Sequence, residues 1–287
     1  MISEEAKKKI NLIKIQTKKA LSGSMVGDFS TATKGSGLEF HQLDDYSEDD
    51  DIRFVDWSSS ARHGKLLVRQ YLEERNRTII IAVDVSSSTF FSSSETLKYD
   101  AISQIAAILT LVSDYGKDNV GLLLFSDKIH EFIPSKRGAI HVNEILQKIF
   151  SQKLGKNETD ISVALNYLGK NVRRDSLVFV ISDFISDGFE KALINASKKV
   201  SLVAIRCLDK LECEQAFKGT INLSDIETGK RMIVDGSKSE MIIKYLNKRI
   251  TTQNRLFKRC RVELLDIKHN QSYISGIVKF FKKRMLY

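Results

Sequence analysis

The chain of 287 residues has one proline, Pro134, one tryptophan, Trp57, and three cysteines. A single proline leaves no room for a proline-rich linker, and no low-complexity tract or internal repeat is present. Cys207, Cys213 and Cys260 are odd in number and lack metal-ligand spacing. A disulfide scaffold and a zinc site are thereby excluded, and reduced thiols in a cytoplasmic protein are expected. No apolar run reaches the roughly 18 to 20 residues that cross a bilayer. The opening MISEEAKKKINLIKIQTKK also lacks the apolar centre of a signal peptide, so a soluble protein without a membrane span is expected. Neither G-x-S-x-G nor G-x-x-x-x-G-K-[ST] occurs, which removes the nucleophile elbow and the P-loop. His41, His63, His130, His141 and His269 show no paired spacing and read as structural or surface residues.

Apolar residues make up 42% of the chain, enough for a sizeable core, and the formal net charge is +9. The basic residues are spread along the chain rather than blocked, as solvated helix faces are, so nucleic acid is not expected as a partner. Residues 3–22 have helical spacing with a basic face. Residues 23–77 are irregular and carry the acidic run Asp44–Asp51, which reads either as a solvated loop or as packing near Arg53, Arg62, Arg69 and Arg75, with Trp57 expected as a core anchor of this extension. Residues 1–77 therefore read as an N-terminal extension packed on a main domain of residues 78–287.

From residue 78 the rhythm changes to short, β-branched apolar runs: TIIIAV (78–83), VGLLLF (120–125), SLVFVI (176–181) and SLVAI (201–205). Such runs suit strands buried on both faces. Helical patterns separate them, the first over about 95–114 after a capping-box start at Ser92–Glu95. Alternation of this kind predicts an α/β fold, a doubly wound, mostly parallel sheet flanked by helices. IHEFIP (129–134) follows its predecessor too closely for a crossover and predicts an antiparallel edge strand. A helix over 238–257, a last strand over 261–267 and a last helix over 273–284 complete the domain. Glu227–Lys230 reads as a hairpin turn in a small excursion between 207 and 237.

The first apolar run ends on a carboxylate and a row of hydroxyls, Asp84-Val85-Ser86-Ser87-Ser88-Thr89. In open parallel sheets ligands bind at the carboxyl edge of the strands. Asp84 belongs to that edge, as do Asp183 after SLVFVIS and Thr159-Asp160 before a helix. Two adjacent carboxylates repel unless one protonates or a cation joins them. Hydroxyls of Ser86, Ser88 and Thr159 add neutral oxygen donors, and an all-oxygen shell suits Mg²⁺, with Mn²⁺ as the alternative.

D-x-S-x-S after an apolar strand, a later threonine and a later strand-end aspartate resemble the metal-ion-dependent adhesion site of von Willebrand factor type A domains. Asp84, Ser86 and Ser88 match its first loop, Thr159 its second and Asp183 its third; Glu158 stands where that pattern has glycine. Upstream, GSGLEFHQLDDYSEDDDIRFVDWSSSARHGKLLVRQYLEER (35–75) is similar to the signature of a bacterial family called domain of unknown function fifty-eight. It keeps Gly35, Gly37, Glu39, Phe40, Tyr46, Asp49, Asp50, Arg53, Asp56, Trp57, Ala61, Arg62, Glu73, Glu74 and Arg75, and departs at Asp45 and Glu48. The resemblance implies a type A domain that binds a protein partner through Mg²⁺, an acidic partner side chain completing the shell. It further implies an adaptor or co-chaperone of a MoxR-type AAA+ ATPase rather than an enzyme. The competing reading is a Mg²⁺-dependent phosphatase of the haloacid dehalogenase kind with Asp84 as nucleophile. That chemistry needs a second aspartate two residues on, where this chain has Ser86.

Overall fold

A computed structural model describes residues 4–24, 34–35, 39–47, 50–72, 77–90, 97–153, 155, 157–208, 220–224, 231–235, 239–268, 276–277 and 280. The chain divides into two compact units, Met1–Leu21 with Arg77–Met285, and Ser22–Asn76 with Leu286–Tyr287. In chain order the elements are α1 (Glu4–Ser24), β1 (Lys34–Gly35), β2 (Glu39–Asp45), α2 (Trp57–His63), β3 (Leu67–Leu72), β4 (Thr78–Asp84), α3 (Lys98–Tyr115), β5 (Asn119–Phe125), β6 (Ile129–Lys136), α4 (Ala139–Phe150), α5 (Ile161–Asn171), β7 (Leu177–Ser182), α6 (Glu190–Ser197), β8 (Ser201–Leu208), β9 (Thr220–Ser224), β10 (Arg231–Asp235), α7 (Ser239–Arg259) and β11 (Glu263–Lys268).

The larger unit is the α/β fold that the apolar runs predict. Its six-stranded sheet has the order β11-β8-β7-β4-β5-β6. All neighbours are parallel except β5 and β6, so 129–136 is indeed an antiparallel edge. Alternate residues of each strand point to opposite faces. Ile80 and Ala82 of β4 join one core cluster with Ala164, Leu165 and Leu168 of α5, Leu193 and Ala196 of α6, and Leu256 and Phe257 of α7. Ile79, Ile81 and Val83 of the same strand are equally buried and face the other way. Helix α3 lies against β4, β5, β7 and β8 and is buried on nearly all sides, as its all-round apolar pattern requires. Helix α1 turns Ala6, Ile10, Ile13 and Thr17 inward, while Lys9 reaches Asp100 of α3 at 2.8 Å and Lys14 reaches Asn143 of α4 at 2.6 Å.

Buried Arg206 on β8 forks onto Asp266 of β11 at 2.7 and 2.9 Å. It also donates to Gln253 and Asn254 of α7 at 3.1 and 2.8 Å, which locks helix to sheet edge. The excursion after β8 contains the antiparallel pair β9–β10, with Ser224 opposite Arg231. Cys207 and Cys260 are unpaired thiols. The turn Glu227–Lys230, the capping box Ser92–Glu95, Cys213, His269 and most of the last helix lie outside the described residues. Helix α3 starts instead with Leu97 at its cap, whose N–H donates to the Asp100 carboxylate at 3.2 Å.

The smaller unit holds a three-stranded antiparallel sheet, β1-β3-β2, and helix α2. Asp56 caps α2 by accepting from the Ser59 N–H at 3.0 Å and also holds Arg69 at 3.0 Å. Asp51 forks onto Arg53, and Asp45 pairs with Lys65 rather than with an arginine. Trp57 is not a core anchor. It is the first residue of α2 and 62% exposed, and Ser60 is the buried residue of that helix.

Gly121 of β5 sits opposite Ile80, at an irregularity in the β5–β6 pairing. A Cβ there would lie 2.8 Å from both the Ile133 carbonyl oxygen and the Ile80 Cδ1. Gly121→Ala is expected to destabilise the protein by about 1–3 kcal/mol through overpacking, read as a lowered urea midpoint at constant slope. An unchanged midpoint would show that β6 is free to move away.

Candidate metal site

The parallel register sets the stage. Val83 of β4 stands level with Leu124 of β5 and Ile181 of β7, so Asp84, Phe125 and Ser182 end together at one sheet edge. Loops leave that edge after Asp84 and after Ser182, and the connection between α4 and α5 meets it where the Asp160 N–H donates to the Ser126 carbonyl at 3.4 Å; each of these three segments carries predicted site residues. The five residues Asp84, Ser86, Ser88, Thr159 and Asp183 are brought together there.

Asp84 is fully buried. Its Oδ1 accepts from the Ser86 N–H at 2.9 Å and its Oδ2 from the Ser182 hydroxyl at 2.6 Å. The Ser86 hydroxyl lies 3.1 Å from that of Ser88, which lies 3.2 Å from that of Thr159. Ser88 also bonds to Asp183. The second loop is held by Ser87, whose hydroxyl donates to the Gly155 carbonyl at 2.6 Å and accepts from the Asn157 N–H at 2.9 Å, while its own N–H donates to the Asn157 carbonyl at 3.0 Å. This clamp brings Thr159 to Ser88 even though Glu158 replaces the small residue of the resembled pattern; Glu158 points to solvent. The third loop turns sharply after Asp183, whose Oδ1 accepts from the Ile185 N–H at 3.0 Å. Phe184 takes a left-handed φ of 55°, strained for a bulky residue. Its ring packs edge-on to Phe257 at 5.3 Å, and its carbonyl accepts from Gln253 at 2.8 Å.

The sequence reading missed Lys98. Its ammonium lies 2.8 Å from Asp183 Oδ2, with both side chains at most 2% exposed. Lys98 opens α3, and the available signal was the apolar character of the residues one and two turns on, Ala101, Ile102 and Ile105, all of them buried. Ser182 and Ser87 were missed too, since serines that bond within loops leave no pattern in the sequence.

The electrostatics follow from the burial. Removal from water, and then the neighbouring charge of Asp183, push the Asp84 carboxyl up to about 7 against the hydrogen bonds of Ser182 and Ser86. Burial also pushes Asp183 upward, but the Lys98 ammonium and the Ile185 N–H outweigh it and hold Asp183 below the ordinary carboxylate range. Burial raises the Tyr99 phenol, whose hydroxyl donates to the Ile149 carbonyl at 2.8 Å. On the neighbouring strand end the Ser126 hydroxyl donates to Asp127 at 2.7 Å and meets His130 Nε2 at 2.7 Å. Ser126 is fully buried, and with its proton on Asp127 the imidazole must donate to it, so this serine is no exposed nucleophile.

The donors fit a small hard cation. Adjacent ligands of a Mg²⁺ octahedron with bonds of about 2.0–2.1 Å are about 2.9 Å apart. The hydroxyl separations of 3.1 and 3.2 Å are close to that edge length. Among the described residues no group of three or more His, Cys, Asp or Glu could hold a metal, so a cation here would depend on hydroxyls. Residues 186–190, which follow Asp183, and α7 line a cleft of about 510 Å³ that includes Lys248, Arg255 and Arg259 as well as Glu190, and in which Arg249 pairs with Asp187 at 3.1 Å.

Residues 42–255 match the family described as "Protein of unknown function DUF58", and the chain belongs to that family. It is 25% identical over 280 residues to the uncharacterized protein Rv1480 of Mycobacterium tuberculosis, covering 96% of this chain and 88% of that protein. The Mycobacterium bovis protein Mb1516, also uncharacterized, is similar to the same extent. Among solved structures, the conserved hypothetical protein BatB from Bacteroides thetaiotaomicron is similar at 15% identity over 74% of this chain and all of that one, with a TM-score of 0.47. The VWA domain of SpRpn10 is similar at 11% identity over 71% of this chain and 94% of that one, with a TM-score of 0.41.

Asp84 titrates near 3.8 in an unfolded chain and near 7 in the fold. Between those values the folded state holds the extra proton, so its stability falls as pH rises through that window. Asp183 works the other way, adding stability above its unfolded value that is lost on acidification. In chelator, unfolding by urea is therefore expected at a higher midpoint near about pH 5 than near about pH 7.5, and Asp84→Asn is expected to remove the difference. A flat profile for the wild type would show that Asp84 is ionised without penalty.

Proposed function

We propose that this chain is a non-enzymatic interaction module whose residues Asp84, Ser86, Ser88, Thr159 and Asp183 hold Mg²⁺, or Mn²⁺, in the manner of a von Willebrand factor type A adhesion site. The observation that carries this reading is the convergence of three hydroxyls and two buried carboxylates from three loops on one point of the sheet edge. The hydroxyls offer neutral donors in a row. Asp84 is anchored by Ser182 and the Ser86 N–H, and Asp183 by Lys98 and the Ile185 N–H, so the donors are positioned before any cation arrives. A bound divalent cation supplies an open coordination position that an acidic side chain of a partner protein can fill. The cleft beside the Asp183 loop, with Lys248, Arg255 and Arg259 on its α7 wall, suits further acidic residues of the same partner. A MoxR-type AAA+ ATPase, for which this protein acts as adaptor or co-chaperone, is the partner that the family resemblance proposes.

A ligand that binds only the folded state stabilises it, by about 2.7 kcal/mol at a hundredfold excess over Kd. Saturating Mg²⁺ is therefore expected to raise the melting temperature of the wild type relative to chelator, and Asp84→Ala to abolish the rise. A rise retained in Asp84→Ala would place the cation elsewhere. For the partner, Arg255→Glu is expected to weaken capture of the ATPase at least tenfold while leaving the Mg²⁺-dependent melting shift intact. Capture indifferent to both chelator and Arg255→Glu would remove the bridging role.

A further inference from the structure

Lys98 stands in an unfavourable place. A lysine buried to 2% exposure gives up most of its hydration. At the first position of α3 it also sits at the positive end of the helix dipole, where cations are disfavoured. Its ammonium pairs with Asp183, which is fully buried as well. The residues one turn on, Ala101 and Ile102, are apolar and buried. What demands a cation is the pair of buried carboxylates, Asp84 and Asp183, whose charges act on one another.

We infer that Lys98 is the resident counter-ion of the metal site, a positioning residue that neutralises Asp183 when no divalent cation is present and lowers the site's affinity for one. The inference rests on the metal-site reading above. Charge counting gives its direction. With both carboxylates ionised, the site without Lys98 carries two negative charges, which a divalent cation would balance. With Lys98 it carries one, and the bound cation leaves one positive charge over. An ammonium bonded directly to one of the two carboxylates repels an incoming cation through a poorly screened interior. The surplus positive charge is what a carboxylate from a partner would neutralise. Lys98 therefore makes cation and acidic partner bind best together, each raising the affinity for the other by the same factor. A site tuned this way holds its geometry while empty and closes only on a suitable protein.

The test uses Mg²⁺ alone, by isothermal titration calorimetry, on the wild type, Lys98→Met, Lys98→Gln and Lys98→Arg of the full chain. The expected result is at least tenfold tighter binding in Lys98→Met and Lys98→Gln than in the wild type, and wild-type affinity in Lys98→Arg, which keeps the charge. Tight binding by Met and Gln variants with none measurable in the wild type would support the inference equally. Equal or weaker affinity in both neutral variants, with the wild type binding, would overturn it and leave the metal site standing; absence of binding in every protein would overturn both. Should the neutral variants unfold in chelator, melting curves provide the second readout. Mg²⁺ is expected to raise their melting temperature further than it raises that of the wild type, because it replaces the missing charge. Neutral variants as unstable in saturating Mg²⁺ as in chelator would show Lys98 to be a structural ion-pair partner alone.

Discussion

Two carboxylates share one buried point of this protein, and most of the surrounding structure answers to them. Asp84 and Asp183 are both cut off from water. Left alone they would expel each other or take up protons. The protein arranges unequal surroundings instead. Asp183 receives the Lys98 ammonium and a backbone N–H, and stays ionised. Asp84 receives a hydroxyl and a backbone N–H, and hovers near neutrality of pH. The two carboxylates thus differ in charge state although they share one buried point.

The fold supplies the precision. Parallel pairing of β4 with β7 brings their ends level, which puts the first and third loops side by side before any side chain acts. Ser87 then stitches the first loop to the second. The third loop is bent by a left-handed Phe184 that the aromatic contact with Phe257 and the Gln253 amide hold in place. Gln253 in turn accepts from Arg206, which also donates to Asn254 and forks onto Asp266 of β11, and so ties α7 to the edge of the sheet. A path of hydrogen bonds thus runs from the outermost parallel strand to the loop that carries Asp183. The same α7 presents its basic side chains to the cleft next to that loop.

Much of this is legible in the sequence because burial on both faces forces continuous β-branched runs, and because strand ends in such sheets collect polar residues for a reason. TIIIAVD and LVFVIS announce β4 and β7 together with their terminal carboxylates. The row of hydroxyls after Asp84 announces oxygen donors. What stayed hidden depends on three-dimensional pairing. Lys98 reads as one more solvated lysine until its helical phase is compared with Ala101 and Ile102. Ser87 and Ser182 are ordinary serines until a loop distant in sequence meets them. Trp57 misleads in the opposite direction, since its apolar bulk suggests a core position while at the first position of the short helix α2 it is left exposed.

The central claim is that these five residues form a cation site beside a resident ammonium, and diffraction tests it most directly. Crystals of the wild type soaked in Mn²⁺ would be measured at a wavelength where manganese scatters anomalously. The account predicts an anomalous peak within coordination distance of the Ser86, Ser88 and Thr159 hydroxyls, with the Lys98 ammonium still on Asp183. Manganese bound only at other surface carboxylates, with no peak at this edge of the sheet, would contradict it.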